Sequence, residues 1–189
     1  PLTSFVGREH ELDDIAGLLR AHRLVTLTGV GGAGKTRLAL EAATRQIGAW
    51  AGGVWLVDLT AHADPCTTPS AVAGVLGVRE RPDVSALEGL VEHLRDEELL
   101  ILLDNCEHLA TACGELVHHV LRASPSVRVL ATSRISLGAA GEVDYTVERN
   151  RVTTLFRLVL GIPIAIVYGV LTAGATTTTY DEAGKTVTT

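Results

Sequence analysis

The eight residues Gly29-Val30-Gly31-Gly32-Ala33-Gly34-Lys35-Thr36 constrain this chain more than any other stretch. They match the pattern G-x-x-x-x-G-K-[ST] at every fixed position, and that pattern has meaning only where a strand precedes it and a helix follows. Both flanks comply. Leu24-Val25-Thr26-Leu27-Thr28 is short, β-branched and apolar, and Arg37-Leu38-Ala39-Leu40-Glu41-Ala42-Ala43 is rich in strong helix formers. Glycines let successive amides turn inward as a nest for an anion, and the helix aims the positive end of its dipole at the same point. Gly29, Gly31, Gly32, Ala33 and Gly34 are therefore candidate phosphate contacts through their backbone, with Arg37 beside them. Lys35 would reach the β- and γ-phosphates, and Thr36 would offer its hydroxyl to Mg²⁺. The expected ligand is a nucleoside triphosphate.

A phosphate loop needs a second acid to hold the metal. Leu99-Leu100-Ile101-Leu102-Leu103 followed by Asp104 supplies it, since an unbroken apolar run suits a parallel strand covered on both faces. Asp104 has a second reading, as the N-cap of the segment that follows. Asn105 stands next, where many hydrolysing relatives of such sequences place a second acid. Asn takes up no proton at neutral pH, so either Glu107 acts as base or hydrolysis is slow; slow turnover is the expectation. A further strand, Val127-Arg128-Val129-Leu130-Ala131-Thr132, ends in Ser133-Arg134; an arginine at such a strand tip can sense a γ-phosphate, and taken alone it reads more often as a surface arginine.

The rest of the chain alternates in the same way. Helical spacing covers Glu9–Arg20, the stretch after the loop to about Ile47, a short segment capped by Ser70 and running to Leu76, Ala86–Arg95, and about Glu107–Arg122. Strands are expected at Val54–Leu59 and near Val143–Val147. Such alternation predicts an α/β fold with a parallel β-sheet flanked by helices, ligands sitting at the carboxyl ends of the strands. All three motifs fall at that edge. The net charge of −6 and the lack of a basic cluster argue against direct nucleic-acid binding. Cys66, Cys106 and Cys113 lack metal spacing and are expected to be buried small residues of a reducing cytosol. His62 and the His118-His119 pair also lack ligand partners. A chain opening at Pro1 without methionine reads as a fragment of something longer.

Taken together, Phe5-Val6-Gly7-Arg8-Glu9, the glycine loop, Leu103-Asp104-Asn105-Cys106-Glu107-His108 and Ala131-Thr132-Ser133-Arg134 resemble the signal-transduction ATPases with numerous domains, the STAND class of P-loop NTPases. The likeness, over about residues 2–147, is closest to the NB-ARC-like module of bacterial AfsR-like and LuxR-type transcriptional regulators. It implies that Val6, Gly7 and Arg8 lie against adenine, that Arg134 is the sensor arginine, and that Thr36 and Asp104 hold Mg²⁺. It also implies a switch: ADP holds a closed form and ATP permits an open, often self-associating one. Weak Mg²⁺-dependent ATP hydrolysis, with Lys35, Asp104, Glu107 and Arg134 as the catalytic set, would accompany it. Further domains or partners of the parent regulator are expected.

The resemblance ends near residue 148. After a basic junction at 149–157, the run 158–175 carries no charge and has nearly the length of a membrane span. With Arg149, Arg151 and Arg157 before it, the positive-inside rule puts residues 1–148 in the cytoplasm and anchors the whole chain. Two other readings stand beside this one. Gly161-Ile162-Pro163-Ile164-Ala165 resembles the Gly-Leu-Pro-Leu-Ala motif of the STAND helical domain, which would make 158–175 a truncated piece of it; the run also fits a buried apolar tail. Residues 176–189 read as a polar, Thr-rich loop. The alternative function is accordingly a truncated or fused, membrane-tethered, non-catalytic remnant.

Overall fold

One sheet positions the glycine loop with Lys35 and Thr36, Asp104, and the turns carrying Glu107 and Arg134. In the computed structural model, which describes residues 8–148 and the backbone of 179–180 and 186–187, its strands are β1 (Leu24–Thr28), β2 (Val54–Asp58), β3 (Leu100–Asp104), β4 (Arg128–Thr132) and β5 (Glu142–Thr146). All pair in parallel, in the order β2-β3-β4-β1-β5. Parallel neighbours need crossovers, and the helices α1 (Glu9–Ala21), α2 (Lys35–Arg45), α3 (Thr68–Val75), α4 (Ala86–Leu94) and α5 (Ala110–Ala123) provide cover on both faces.

The strand pleat explains how one apolar run serves two cores. Along β3, Leu100 and Leu102 point to a cluster containing Leu12, Ile15, Leu38 and Ala42 of α1 and α2. Ile101 and Leu103 point the other way, among Val72, Leu90, Leu116 and Val120 of α3, α4 and α5. Leu100 is fully buried, so trimming it to alanine would cost about 2–5 kcal/mol. This double burial is why the run reads as continuous rather than alternating.

Several element boundaries differ from the sequence expectation, each for a local reason. Ser70 lies inside α3 rather than capping it: the Asp64 carboxylate accepts from the Cys66 amide and starts a 3₁₀ turn, Pro65–Thr67, that runs straight into the helix. The cap of α4 is Ser85, whose hydroxyl accepts from the Glu88 amide at 3.2 Å while Glu88 accepts from the Ser85 amide at 3.0 Å. The helix expected from Glu107 is split, a 3₁₀ turn at Cys106–His108 preceding α5. Cys106 and Cys113 are buried as expected, but Cys66 is exposed.

Residues 150–189 form a separate unit. Within it, the tail expected as loop contains a short antiparallel pairing of β6 (Thr179–Tyr180) with β7 (Thr186–Val187). The junction 149–157 and the apolar run 158–175, including Gly161–Ala165, lie outside the described residues, as do Val6 and Gly7. Among the described residues, no helix is long and apolar enough to cross a membrane.

Candidate functional site

The glycine loop connects the carboxyl end of β1 to the first turn of α2 as the sequence requires. Gly29, Gly32 and Gly34 take φ values of 144°, 77° and 84°, a region that side chains with a Cβ avoid. At Gly29 space is limiting too: a Cβ there would stand 2.6 Å from the Val147 carbonyl oxygen. Lys35, only 9% exposed, folds back over the loop and donates to the carbonyls of Gly29 (2.8 Å) and Val30 (3.2 Å). Among the described residues it meets no carboxylate within ion-pair distance. A buried ammonium held by neutral carbonyls alone leaves positive charge uncompensated, and that favours an anion at the loop.

Thr36 and Asp104 come together at the head of the loop helix. Thr36 Oγ1 donates to Asp104 Oδ1 at 2.8 Å, joining the loop helix to the tip of β3. Thr132, a residue that sequence reasoning left unassigned, completes this cluster: its hydroxyl donates to the same Oδ1 at 2.5 Å and accepts from the Asn105 amide at 2.9 Å. The only signal for it was a hydroxyl at the last position of the strand beside the acidic one. The cap reading of Asp104 is overturned, because its carboxylate serves Thr36 and Thr132, and no side-chain cap is made at the 3₁₀ turn that follows. Asn105 takes a left-handed φ of 65°, which Asn tolerates better than most residues. Both sides of its amide are satisfied when the nitrogen faces Glu107, 3.1 and 3.3 Å from the two carboxylate oxygens.

Glu107 and Arg134 meet across the mouth of the site, Oε1 to Nε at 3.0 Å, with Arg134 largely exposed. Arg8 does not stand free either. Its guanidinium donates to the carbonyls of Ala33 and Glu148, both at 3.1 Å, and pairs with Glu11 at 2.5 Å. The phosphate loop, Thr36, Arg37, Asn105, Glu107, Thr132 and Arg134 line a cleft of about 730 Å³ that continues along α2 past Leu40 to Thr44. A pocket of that size falls within the range of small-molecule sites.

A second unassigned residue shapes the loop that carries Arg134. The Glu142 carboxylate accepts from Thr26 Oγ1 (2.5 Å), Ser136 Oγ (2.8 Å) and the amides of Leu137 (2.9 Å), Gly138 (2.7 Å) and Ala139 (3.2 Å). Burial pushes this carboxyl up, but the hydroxyl and amide donors outweigh burial and hold it below the ordinary glutamate value. Elsewhere, the Cys113 thiol and burial push the Cys106 thiol up, so it stays a neutral core residue. His108 Nε2 donates to the His62 carbonyl at 2.6 Å, and the His118 and His119 rings meet edge-on. Among the described residues, no cluster of His, Cys, Asp and Glu is arranged to hold a metal on its own.

The comparisons with known proteins agree with this geometry. Residues 4–83 match the AAA ATPase domain family. An uncharacterised Mycobacterium tuberculosis protein is 40% identical over 146 residues, covering 77% of this chain and 37% of its own length. A second M. tuberculosis protein, provisionally named an HTH-type transcriptional regulator, is 38% identical over 136 residues, 72% of this chain and 15% of its own. The chain thus spans little more than a third of the first of these relatives and far less of the second. Among solved structures, a STAND protein with a tetratricopeptide repeat sensor from Pyrococcus horikoshii aligns with a TM-score of 0.54 at 19% identity, over 77% of this chain and 23% of that one. Drosophila ORC bound to DNA aligns with a TM-score of 0.62 at 16% identity, over 90% and 50%. At those identities the likeness establishes fold. Residues 8–148 are therefore an α/β domain of P-loop ATPase-like fold, and a match to the AAA ATPase domain covers its phosphate loop.

Proposed function

We propose that this chain is the ATP/ADP-binding switch module of a STAND-type signal-transduction regulator, with slow Mg²⁺-dependent ATP hydrolysis. The observation that carries the reading is the buried Lys35 ammonium, bonded among the described residues only to the Gly29 and Val30 carbonyls at the head of a glycine loop. The residues present fit a nucleotide with Mg²⁺. Loop amides and Lys35 bind phosphate, and Thr36 with Asp104 forms the ligand pair that would hold the metal, which supplies charge neutralisation at the phosphates when bound. Val6, Gly7 and Arg8 are assigned to the base side, by resemblance. Arg134 lines the same cleft with its guanidinium beside Gly31 of the loop, and its exchange between Glu107 and a γ-phosphate would give the two nucleotide states different contacts. Slow hydrolysis follows from Asn105 and from Glu107, whose carboxylate is engaged by Arg134 and the Asn105 amide. The M. tuberculosis relative named for HTH-type regulation and the STAND protein with a repeat sensor support a regulatory parent with further domains, and nucleotide-dependent self-association is what the STAND resemblance implies.

The test is thermal denaturation of the 189-residue chain with Mg-ATP, with ADP and without nucleotide, beside Lys35→Ala. Stabilisation that vanishes in the variant supports a working phosphate site. A larger shift with ADP than with Mg-ATP supports a resting switch. A folded chain that shifts with neither sinks the proposal.

A further inference from the structure

We infer that Arg8 is a positioning residue that couples the phosphate loop to the point where the chain leaves the domain, at Val147 and Glu148. The inference rests on the nucleotide-site reading above and deepens it, assigning the Arg8 side chain a task other than touching the base. Three separate contacts tie the loop to this exit. Val147 donates its amide to the Thr28 carbonyl at 2.7 Å, at the loop's root. Gly29 packs so closely on the Val147 carbonyl that no side chain fits between them. Arg8 bridges the loop's far side, one guanidinium nitrogen on Ala33 O and the other on Glu148 O.

The chemistry at Arg8 is specific to arginine. A planar fork can bond two carbonyls from different segments at once while its Nε pairs with Glu11; an ammonium on a flexible stem offers no such fixed fork. The side chain is 18% exposed and the backbone is held at a left-handed φ of 67°. That conformation is unfavourable for a residue with a Cβ, so it persists because surrounding bonds fix it. The guanidinium also lies against the loop itself, since a Cβ on Gly34 would stand 3.2 Å from Nη1. A shift of Ala33 or Gly34 as the loop closes on phosphate therefore reaches Glu148 through one planar guanidinium.

Hydrogen–deuterium exchange on the full chain tests this, reading residues 30–34 and 143–148 separately, with and without Mg-ATP. The variants are Arg8→Asn, which tolerates the left-handed backbone, and Arg8→Lys, which keeps the charge; nucleotide affinity is measured in parallel. In the parent chain nucleotide should slow exchange in both segments. In both variants exchange without nucleotide should rise about three- to tenfold in both segments, the fold-change for losing one ordinary hydrogen bond. Bound nucleotide should then still protect 30–34 but protect 143–148 several-fold less than in the parent chain, since the Val147–Thr28 and Gly29–Val147 contacts remain. Protection of 143–148 that survives undiminished in either variant, or that is absent from a nucleotide-binding parent chain, overturns the inference. If the parent chain binds no nucleotide, the proposed function fails instead. The coupling is then judged without ligand: a joint rise at both segments in the variants upholds it, and a rise at only one rejects it.

Discussion

Glu107 Oε1 lies 3.0 Å from Arg134 Nε, so the two charged residues assigned opposite tasks at the nucleotide are bonded to each other. The pair bridges the turn after β3 and the tip of β4. Because Arg134 is mostly in solvent, the bond is a weak restraint rather than a lock.

The first prediction follows from that weakness. Glu107→Gln should release Arg134 and raise affinity for a non-hydrolysable ATP analogue relative to ADP. The gain should be about two- to fivefold, the range an exposed ion pair supports. It should shrink as salt is added. Competition titration against a fluorescent nucleotide at two ionic strengths checks it; an unchanged ratio would count against Arg134 as a γ-phosphate sensor.

Thr132→Val should cost about 1–3 kcal/mol, because it strands the Asn105 amide and removes one of the two hydroxyls on Asp104 Oδ1. Thr132→Ser should recover most of that. Urea denaturation of the three proteins measures the difference, and equal midpoints would show that the cluster is dispensable.

Three glycines should separate space from conformation. Gly29→Ala meets the Val147 carbonyl at 2.6 Å and also sits at φ 144°, so it should lose both nucleotide binding and stability. Gly114→Ala meets the Leu137 carbonyl at 2.5 Å without unusual φ, so it should destabilise by about 1–3 kcal/mol and spare the loop. Gly32→Ala has open space and pays only for φ 77°, about 1–2 kcal/mol. Thermal melts and nucleotide titrations on the three variants check the ranking.

Glu142 sets a pH dependence with a definite sign. Its folded carboxyl lies below the ordinary value of 4.5, so ionisation stabilises the fold above that value and the contribution is lost as pH falls through the lower folded value. Glu142→Gln should be less stable than the parent near neutrality and should show a smaller loss of stability below about pH 4.5. Urea midpoints between pH 3 and pH 7, as rough limits, would reveal it; parallel curves for the two proteins would remove Glu142 from that role.

What could be read in the sequence was what is contiguous or periodic. The glycine loop, Lys35 and Thr36 form one run, and the apolar stretch ending at Asp104 marks the strand that meets them. The helix and strand order was legible because apolar spacing survives local variation. What escaped was pairing across the fold. Thr132 bonds Asp104 over 28 positions and Glu142 bonds Thr26 over 116, and neither distance leaves a trace in a local window. Ser70 reads as a cap in a local window, but the turn set by Asp64 begins the helix earlier. The partnership of Glu107 with Arg134 needed the adjacency of β3 and β4, which only the sheet order provides.

That sheet order also governs when the domain can form during synthesis. β1 emerges early, yet both of its neighbours are late: Leu24 is paired with Val129 on one side and Glu142 on the other. A ribosome that has released this sequence only as far as β3 has delivered the whole phosphate loop with neither strand that holds its root. The ability to grip phosphate should therefore arrive late and abruptly, as β5 clears the exit tunnel. Until then β1, apolar and unpaired on both edges, is the segment a nascent chain most needs shielded.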